Sequence, residues 1–285
     1  MLLLVGMFLV TISVFGGFVA LGGHLMVLWQ PFEFVIIAGA ALGAFIIANT
    51  KEVLTGSVPA MLMIAKGSRH NKESYLELLS MMYTIFRQAK SKGMLTLESH
   101  VENPDESELF MRFPGLYNNK HALTFLCDYL RMMVLGSENP HEMESLIDEE
   151  LETHHEEKMQ ISDALQTVAD GLPALGIVAA VLGVIHTMGS ITEPPEILGK
   201  LIGGALVGTF LGILLSYGFV APMANAVKGI FDTELKYLQC IKVGLLAHMQ
   251  GYAPAISVEF ARKALVSNVR PTFYEVEEAY RSASS

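Results

Sequence analysis

No lysine or arginine occurs before Lys51, and neither 172–190 nor 201–223 contains a charged residue of either sign. Only 17% of the 285 residues are charged and the mean hydropathy is +0.42, too apolar for an ordinary soluble domain. Cysteine is scarce as well. Cys127 and Cys240 cannot build a disulfide framework and lack metal-binding spacing, so both are expected as free thiols. The phosphate-cradling GxxxxGKS/T, the dinucleotide GxGxxG, the zinc HExxH and the nucleophile GxSxG are all missing. Those enzyme classes are thereby excluded, and neither a catalytic residue nor a cofactor is expected. His154-His155-Glu156-Glu157 carries metal-ligand residue types, but adjacent residues point to different helix faces and no second cluster completes a site. No metal is expected.

What the chain does have is four stretches able to cross a hydrocarbon core of about 30 Å at roughly 1.5 Å per helical residue. They cover 2–21, 33–49, 172–190 and 201–223, the second borrowing length from Pro31-Phe32. Of the 19 lysines and arginines, eleven lie in 51–167, seven follow Met223, and Lys200 stands alone. The positive-inside rule then places 51–167 and the tail in the cytoplasm, with both termini inside and short outer loops near 22–32 and 191–200. Residues 1–21 lack a basic leader and a small-residue cleavage site, so the first span is read as uncleaved. The expected fold is an all-α integral membrane protein with four transmembrane helices. Residues 1–50 form a first hairpin, 51–167 a helical cytoplasmic domain, 168–224 a second hairpin and 225–285 a helical cytoplasmic tail. The net charge of −10 concentrates in the middle segment, where 19 acidic residues face eleven basic ones. That argues against nucleic acid as a partner and suits a protein.

Within the middle segment, Tyr75, Leu76, Leu79, Met82, Tyr83 and Phe86 follow helical spacing up to Gly93, with Arg87, Lys90 and Lys92 in the last turns. A polar connection spans 98–108, and 123–135 reads as a second helix. After Asn139-Pro140 an apolar stripe of Met143, Leu146, Ile147 and Leu151 runs beside five acidic residues. In the tail, 236–249 and 272–281 are helix candidates.

The two charge-free stretches carry faces of small residues. Pro173, Gly176, Ala180, Gly183, Thr187 and Ser190 recur at steps of three and four, as do Ala205, Thr209, Gly212 and Ser216. In lipid, apolar side chains gain little by leaving the tails, so close packing of small faces decides association. Gly204, Gly208 and Gly212 form a tandem small-xxx-small array expected to pack helices, within one subunit or between copies. An ion crossing a membrane needs a titratable group, and these two helices offer only walls. The carboxylate is expected on another chain. Glu33 is read as marking the outer start of the second span, His186 as an interfacial or packed residue.

Residues 205–214, ALVGTFLGIL, followed by Pro222, resemble the signature of the MotA family of flagellar motor stator proteins. Val14-Phe15-Gly16-Gly17, the run VIIAGA at 35–40, Asp148-Glu149-Glu150, PALGIVAA at 173–180 and Gly251-Tyr252-Ala253-Pro254 are similar to the family in the same order. The resemblance covers nearly the whole chain. It implies a stator subunit in the bacterial inner membrane, working with MotB, a peptidoglycan-anchored partner whose single span bears an aspartate. It also implies a homo-oligomer, five copies around two of MotB, in contact with membrane lipid and with the rotor switch protein FliG.

On that resemblance, ions pass between the two proteins along Thr209, Ala180, Pro173, Pro222 and Asp170. Each has a plainer alternative. Thr209 suits a hydroxyl bonded back to its own helix, Pro173 and Pro222 ordinary helix punctuation, and Asp170 an acid complementing a helix N-terminus. Lys90 and Glu98 match charged positions that the family sets against rotor charges, with Arg87 beside them, and Lys90 replaces an arginine seen in some members. The alternative for Arg87, Lys90 and Lys92 is a solvated basic helix end. The packing array comprises Gly176, Gly183, Gly204, Gly208 and Gly212. Proton coupling is expected, since no added polar residues line the stripes. The rival reading is a TolQ/ExbB-like subunit coupling ion flow to outer-membrane work.

Overall fold

The computed structural model describes residues 2–67 and 70–283, and among them every regular element is a helix. The chain divides into two compact units, Met1–Gly67 with Glu157–Ile230, and Ser68–Glu156 with Phe231–Ser285. The bounds therefore fall at 67, 156 and 230. Helices long and apolar enough to cross a membrane are Leu3–Ala20, Leu25–Ala48, Pro140–Met188 and Pro195–Met249. The last two reach well beyond their charge-free stretches.

In the first unit the second apolar helix starts at Pro31, whose fixed φ and missing N–H suit a first turn, and ends at Ala48. Ile37 and Ala41 pack on Leu172 and Ala179 of the third apolar helix. Outward, Leu4, Phe8, Leu9, Ile47, Ile185 and Leu206 are exposed. Such a surface is stable only against lipid or other apolar helices. Between the hairpins, Lys51–Lys66 is amphipathic: Val53, Ser57, Ala60 and Ile64 recur at steps of three and four and are buried.

The second unit is built around a hydrophobic core. Tyr75, Leu78, Leu79, Met82, Ile85 and Phe86 of the Lys72–Lys92 helix meet Leu123, Leu126 and Leu130, Met143, Ile147 and Leu151, and Tyr237, Ile241 and Leu245. Each such large side chain contributes about 1.5–3 kcal/mol by leaving water. The helix is started by Asn71, whose side chain accepts from the Ser74 amide at 2.9 Å, and stopped by Gly93 at φ +89°, a left-handed turn that a Cβ would strain. The polar connection at 98–108 folds into short turns, including Glu98–Glu102. The helix Pro254–Lys263 was not apparent in the sequence; its acidic and basic residues cluster at one end and leave only a short apolar face. The tail helix Phe273–Ala283 opens on a reciprocal cap in which Glu275 Oε2 accepts from the Thr272 amide at 2.7 Å and Thr272 Oγ1 accepts from the Glu275 amide at 3.3 Å. Cys127 and Cys240 are free and buried.

Candidate functional site

The third and fourth apolar helices approach so closely that side chains are excluded at the contact. A Cβ on Gly176 would lie 2.7 Å from the Gly208 carbonyl oxygen and 3.0 Å from Gly212 Cα, and one on Gly212 would lie 2.6 Å from the Leu172 carbonyl oxygen. Farther along, a Cβ on Gly183 would meet Ala205 Cβ at 2.8 Å, and one on Gly208 would meet Ala179 Cβ at 3.0 Å. Gly204 instead faces Gln30, whose Nε2 would lie 2.9 Å from a Cβ there. Much of the small-residue stripe is thus consumed by packing within the chain.

Pro173 does not open a helix. It lies inside the unbroken helix Pro140–Met188, where proline provides no N–H for the carbonyl four residues back. That carbonyl belongs to Ala169, and the Ser216 hydroxyl, wholly buried, donates to it at 2.6 Å. The helix therefore continues because its neighbour satisfies the orphaned acceptor. A second such tie, Ser162 Oγ to the Ala224 carbonyl at 3.1 Å, joins the same two segments nearby. Asp170 consequently has no helix N-terminus to complement. It is exposed and accepts from Gln166 Nε2 at 2.8 Å, one turn earlier in the same helix.

Pro222 is exposed at the second residue of the helix Ala221–Met249, directly after the π-helical segment Leu214–Val220. The wider π turn shifts the Ala221 N–H onto the Ser216 carbonyl, five residues back. It precedes the one residue that has no N–H to place. Pro222 lines an apolar groove with Gly6, Val10, Tyr217 and Ile230.

Thr209 and Ala180 are half-buried beside the glycine contact. Thr187 and Thr11 bond back to carbonyls of their own helices, at 2.8 Å each. The Thr209 hydroxyl makes no hydrogen bond among the described residues. Glu33 stands in the first turn of the helix Pro31–Ala48, as a marker of its start would, and it does more. It is buried, and its carboxylate points at the small faces, with Oε1 3.3 Å from the place of a Cβ on Gly183 and Oε2 2.6 Å from that on Gly208. An acid of this chain does reach the charge-free stretches 172–190 and 201–223.

In the second unit, Arg87, Lys90 and Glu98 are exposed. Lys90 is engaged at its tip: Nζ donates to the Gly251 carbonyl at 3.1 Å and to that of Tyr252 at 3.5 Å, at the C-terminal end of the helix that closes at Met249. An ammonium at that negative end is favoured by the helix dipole. Next to it His248 stacks on Phe86 with ring centroids 4.5 Å apart, and burial, then the Lys90 charge, holds its pKa down at about 4. Asp148 pairs with Lys242 at 2.6 Å and Glu150 accepts from the Tyr129 hydroxyl. The fold also brings to His154 two residues remote in sequence, His121 and Glu234, with ligand atoms all within 4.8 Å. The two imidazoles stack face to face at 4.1 Å, so their in-plane lone pairs run side by side rather than converge.

Two family models match the chain: "Motility protein A N-terminal" over residues 4–93 and "MotA/TolQ/ExbB proton channel family" over 118–240. The chain is 45% identical over 282 residues to motility protein A of Salmonella typhimurium, covering 99% of this chain and 96% of that one. It is also 45% identical over 285 residues to motility protein A of Escherichia coli, covering 100% and 97%. Chemotaxis protein LafT of Vibrio parahaemolyticus is 34% identical over 273 residues, 96% of each chain. Among solved structures, the flagellar MotAB stator complex of Bacillus subtilis matches with TM-score 0.72 and 25% identity over 90% of this chain and 92% of that one. The C. jejuni MotAB matches in fold with TM-score 0.77 at 21% identity, covering 93% and 96%.

Proposed function

This chain belongs to the motility protein A family, and from that premise we propose that it is a stator subunit of the bacterial flagellar motor, forming with a MotB-type partner an ion channel that converts ion flow into torque. The observation that carries the reading is 45% identity to two motility protein A sequences along essentially the full length. The TolQ/ExbB alternative is not favoured, because residues 4–93 match the N-terminal model of motility protein A in addition to the model those families share.

In finer detail, four helices span the inner membrane with both termini cytoplasmic, and the unit built from 68–156 and 231–285 is the cytoplasmic, rotor-facing part. Five copies surround two of the partner, and the coupling ion is the proton. The ion passes along the face of the third and fourth apolar helices, where Thr209 offers an unengaged hydroxyl near Ala180. A charge at the bilayer centre costs about 2.5–3.5 kcal/mol or more, so a partner carboxylate is tolerable there when polar groups line it and a proton neutralises it in turn. Each unit charge moving through 100 mV supplies about 2.3 kcal/mol, comparable to remaking a few polar contacts. Pro173 lies within one of the paired helices and Pro222 directly after the π-helical turn of the other, where a small repacking changes the course of both. Lys90, Glu98 and Arg87 present the charges that meet FliG on the rotor.

What supports this reading in the fold is the close, glycine-packed contact of the charge-free stretches 172–190 and 201–223, with the Thr209 hydroxyl beside the seam and without a hydrogen bond among the described residues. Its test is proton influx into proteoliposomes holding this chain with its partner, using wild type and Thr209→Val. Flux that needs the partner and falls with Thr209→Val is expected. A complex that assembles and conducts nothing would refute the reading.

A further inference from the structure

We propose that Glu33 is a proton-exchange site belonging to this chain, set at the end of the glycine seam that faces outward. The inference rests on the ion-conducting reading above.

Glu33 is the one charged residue in the helix Pro31–Ala48. An acid in a first turn ordinarily serves its own helix, bonding the free amides or complementing the dipole. Glu33 does not: the helix has no side-chain cap, and Oε2 is buried with no well-formed hydrogen bond, the backbone donor that its carboxylate approaches being that of Gly208 on the facing helix. The residue is 9% exposed. Its two oxygens lie where side chains on Gly183 and Gly208 would otherwise be, at 3.3 and 2.6 Å from the positions of their Cβ atoms. One turn earlier Gln30 meets Gly204 in the same manner, so two polar groups on one helix end face two glycines one turn apart on another. The glycines thus make room for a carboxyl group as well as for a backbone.

A carboxylate with an unsatisfied oxygen in such surroundings is stabilised by taking a proton. The step balances simply. A hydronium ion from the outer solution protonates the Glu33 carboxylate and leaves water; the carboxylic acid then passes its proton, through water, to the partner's carboxylate and returns to its charged form. No bond other than O–H is made or broken. The ligand is a proton, and the site would hand it inward along the seam that contains Gly208 and Thr209.

The test uses the full chain with its partner in proteoliposomes, measuring proton influx at fixed membrane potential while the outer pH is varied. Glu33→Gln is expected to cut influx about a hundredfold or more, the scale of losing one positioned acid–base group, and to flatten its dependence on outer pH. Glu33→Asp should restore part of both, and the exposed Glu196→Gln should leave both unchanged. Glu33→Gln conducting like wild type with an unaltered pH profile would overturn the proposal. Carbodiimide, which attacks protonated buried carboxyls, provides a second readout on the wild-type chain in membranes. Labelling of Glu33 that falls as outer pH rises is expected, whereas no labelling, or labelling indifferent to pH, would overturn the proposal even if Glu33→Gln failed to assemble. Should the wild-type complex itself not conduct, the channel reading fails, and the labelling result still decides whether Glu33 exchanges protons.

Discussion

The Ser216 hydroxyl donates at 2.6 Å to the Ala169 carbonyl, the acceptor that Pro173 deprives of its donor four residues on. Serine and proline on different helices are therefore one device. Ser216→Ala should lower stability by about 1–3 kcal/mol, the cost of leaving a buried acceptor unsatisfied. In a Pro173→Ala background, where residue 173 regains an N–H, the same change should cost clearly less. A double-mutant cycle on thermal unfolding in detergent checks this; additive effects would show that the two residues act separately.

Gly212 and Gly203 sit on one helix in opposite circumstances. A methyl at 212 would press on the Leu172 carbonyl and on Gly176 Cα at 2.8 Å, while one at 203 meets nothing within 4 Å. Gly212→Ala should destabilise by about 1–3 kcal/mol through overpacking against backbone. Gly203→Ala should be neutral or stabilise by up to about 1 kcal/mol from helix propensity. Melting curves of the two variants should shift in opposite directions or differ by several degrees.

Because the Thr209 hydroxyl has no hydrogen-bond partner among the described residues, Thr209→Val keeps the shape and should change stability by no more than about 0.5 kcal/mol. Ion conduction with the partner should nevertheless fall. Separating the unfolding midpoint from the flux distinguishes a lining hydroxyl from a structural one.

His248 gives the second unit a pH dependence with a definite sign. Its pKa is near 4 in the fold against 6.5 ordinarily, so the unfolded chain takes up the proton first as pH falls. Its contribution is fully present above about 6.5, is lost progressively down to about 4, and declines no further below that. His248→Phe, which preserves the stack on Phe86, should flatten the unfolding midpoint between those values. An equally steep profile in the variant would assign the effect to other groups.

The elements that were legible in the sequence are those set by local pattern. The apolar stretches, the 3–4 spacing from Tyr75 to Phe86 and the stop at Gly93 each follow from residues close in the chain. Contacts between remote residues were not legible. Pro173 read as the start of a helix because proline favours a first turn; only Ser216, 43 positions later in the numbering, lets the helix run through it. The capping alternative for Asp170 falls away for the same reason. Glu33 read only as the boundary marker it also is, because its target, the space left by Gly183 and Gly208, exists only once three helices are assembled. His121 and Glu234 reach His154 by folding alone.

Proton current through purified protein in liposomes is the most direct measurement of whether these helices supply the walls while a companion supplies the transmembrane acid that completes the path. The chain alone should carry no current under an imposed potential, and the complex with its MotB-type partner should conduct. Sustained current through the chain by itself would contradict that division.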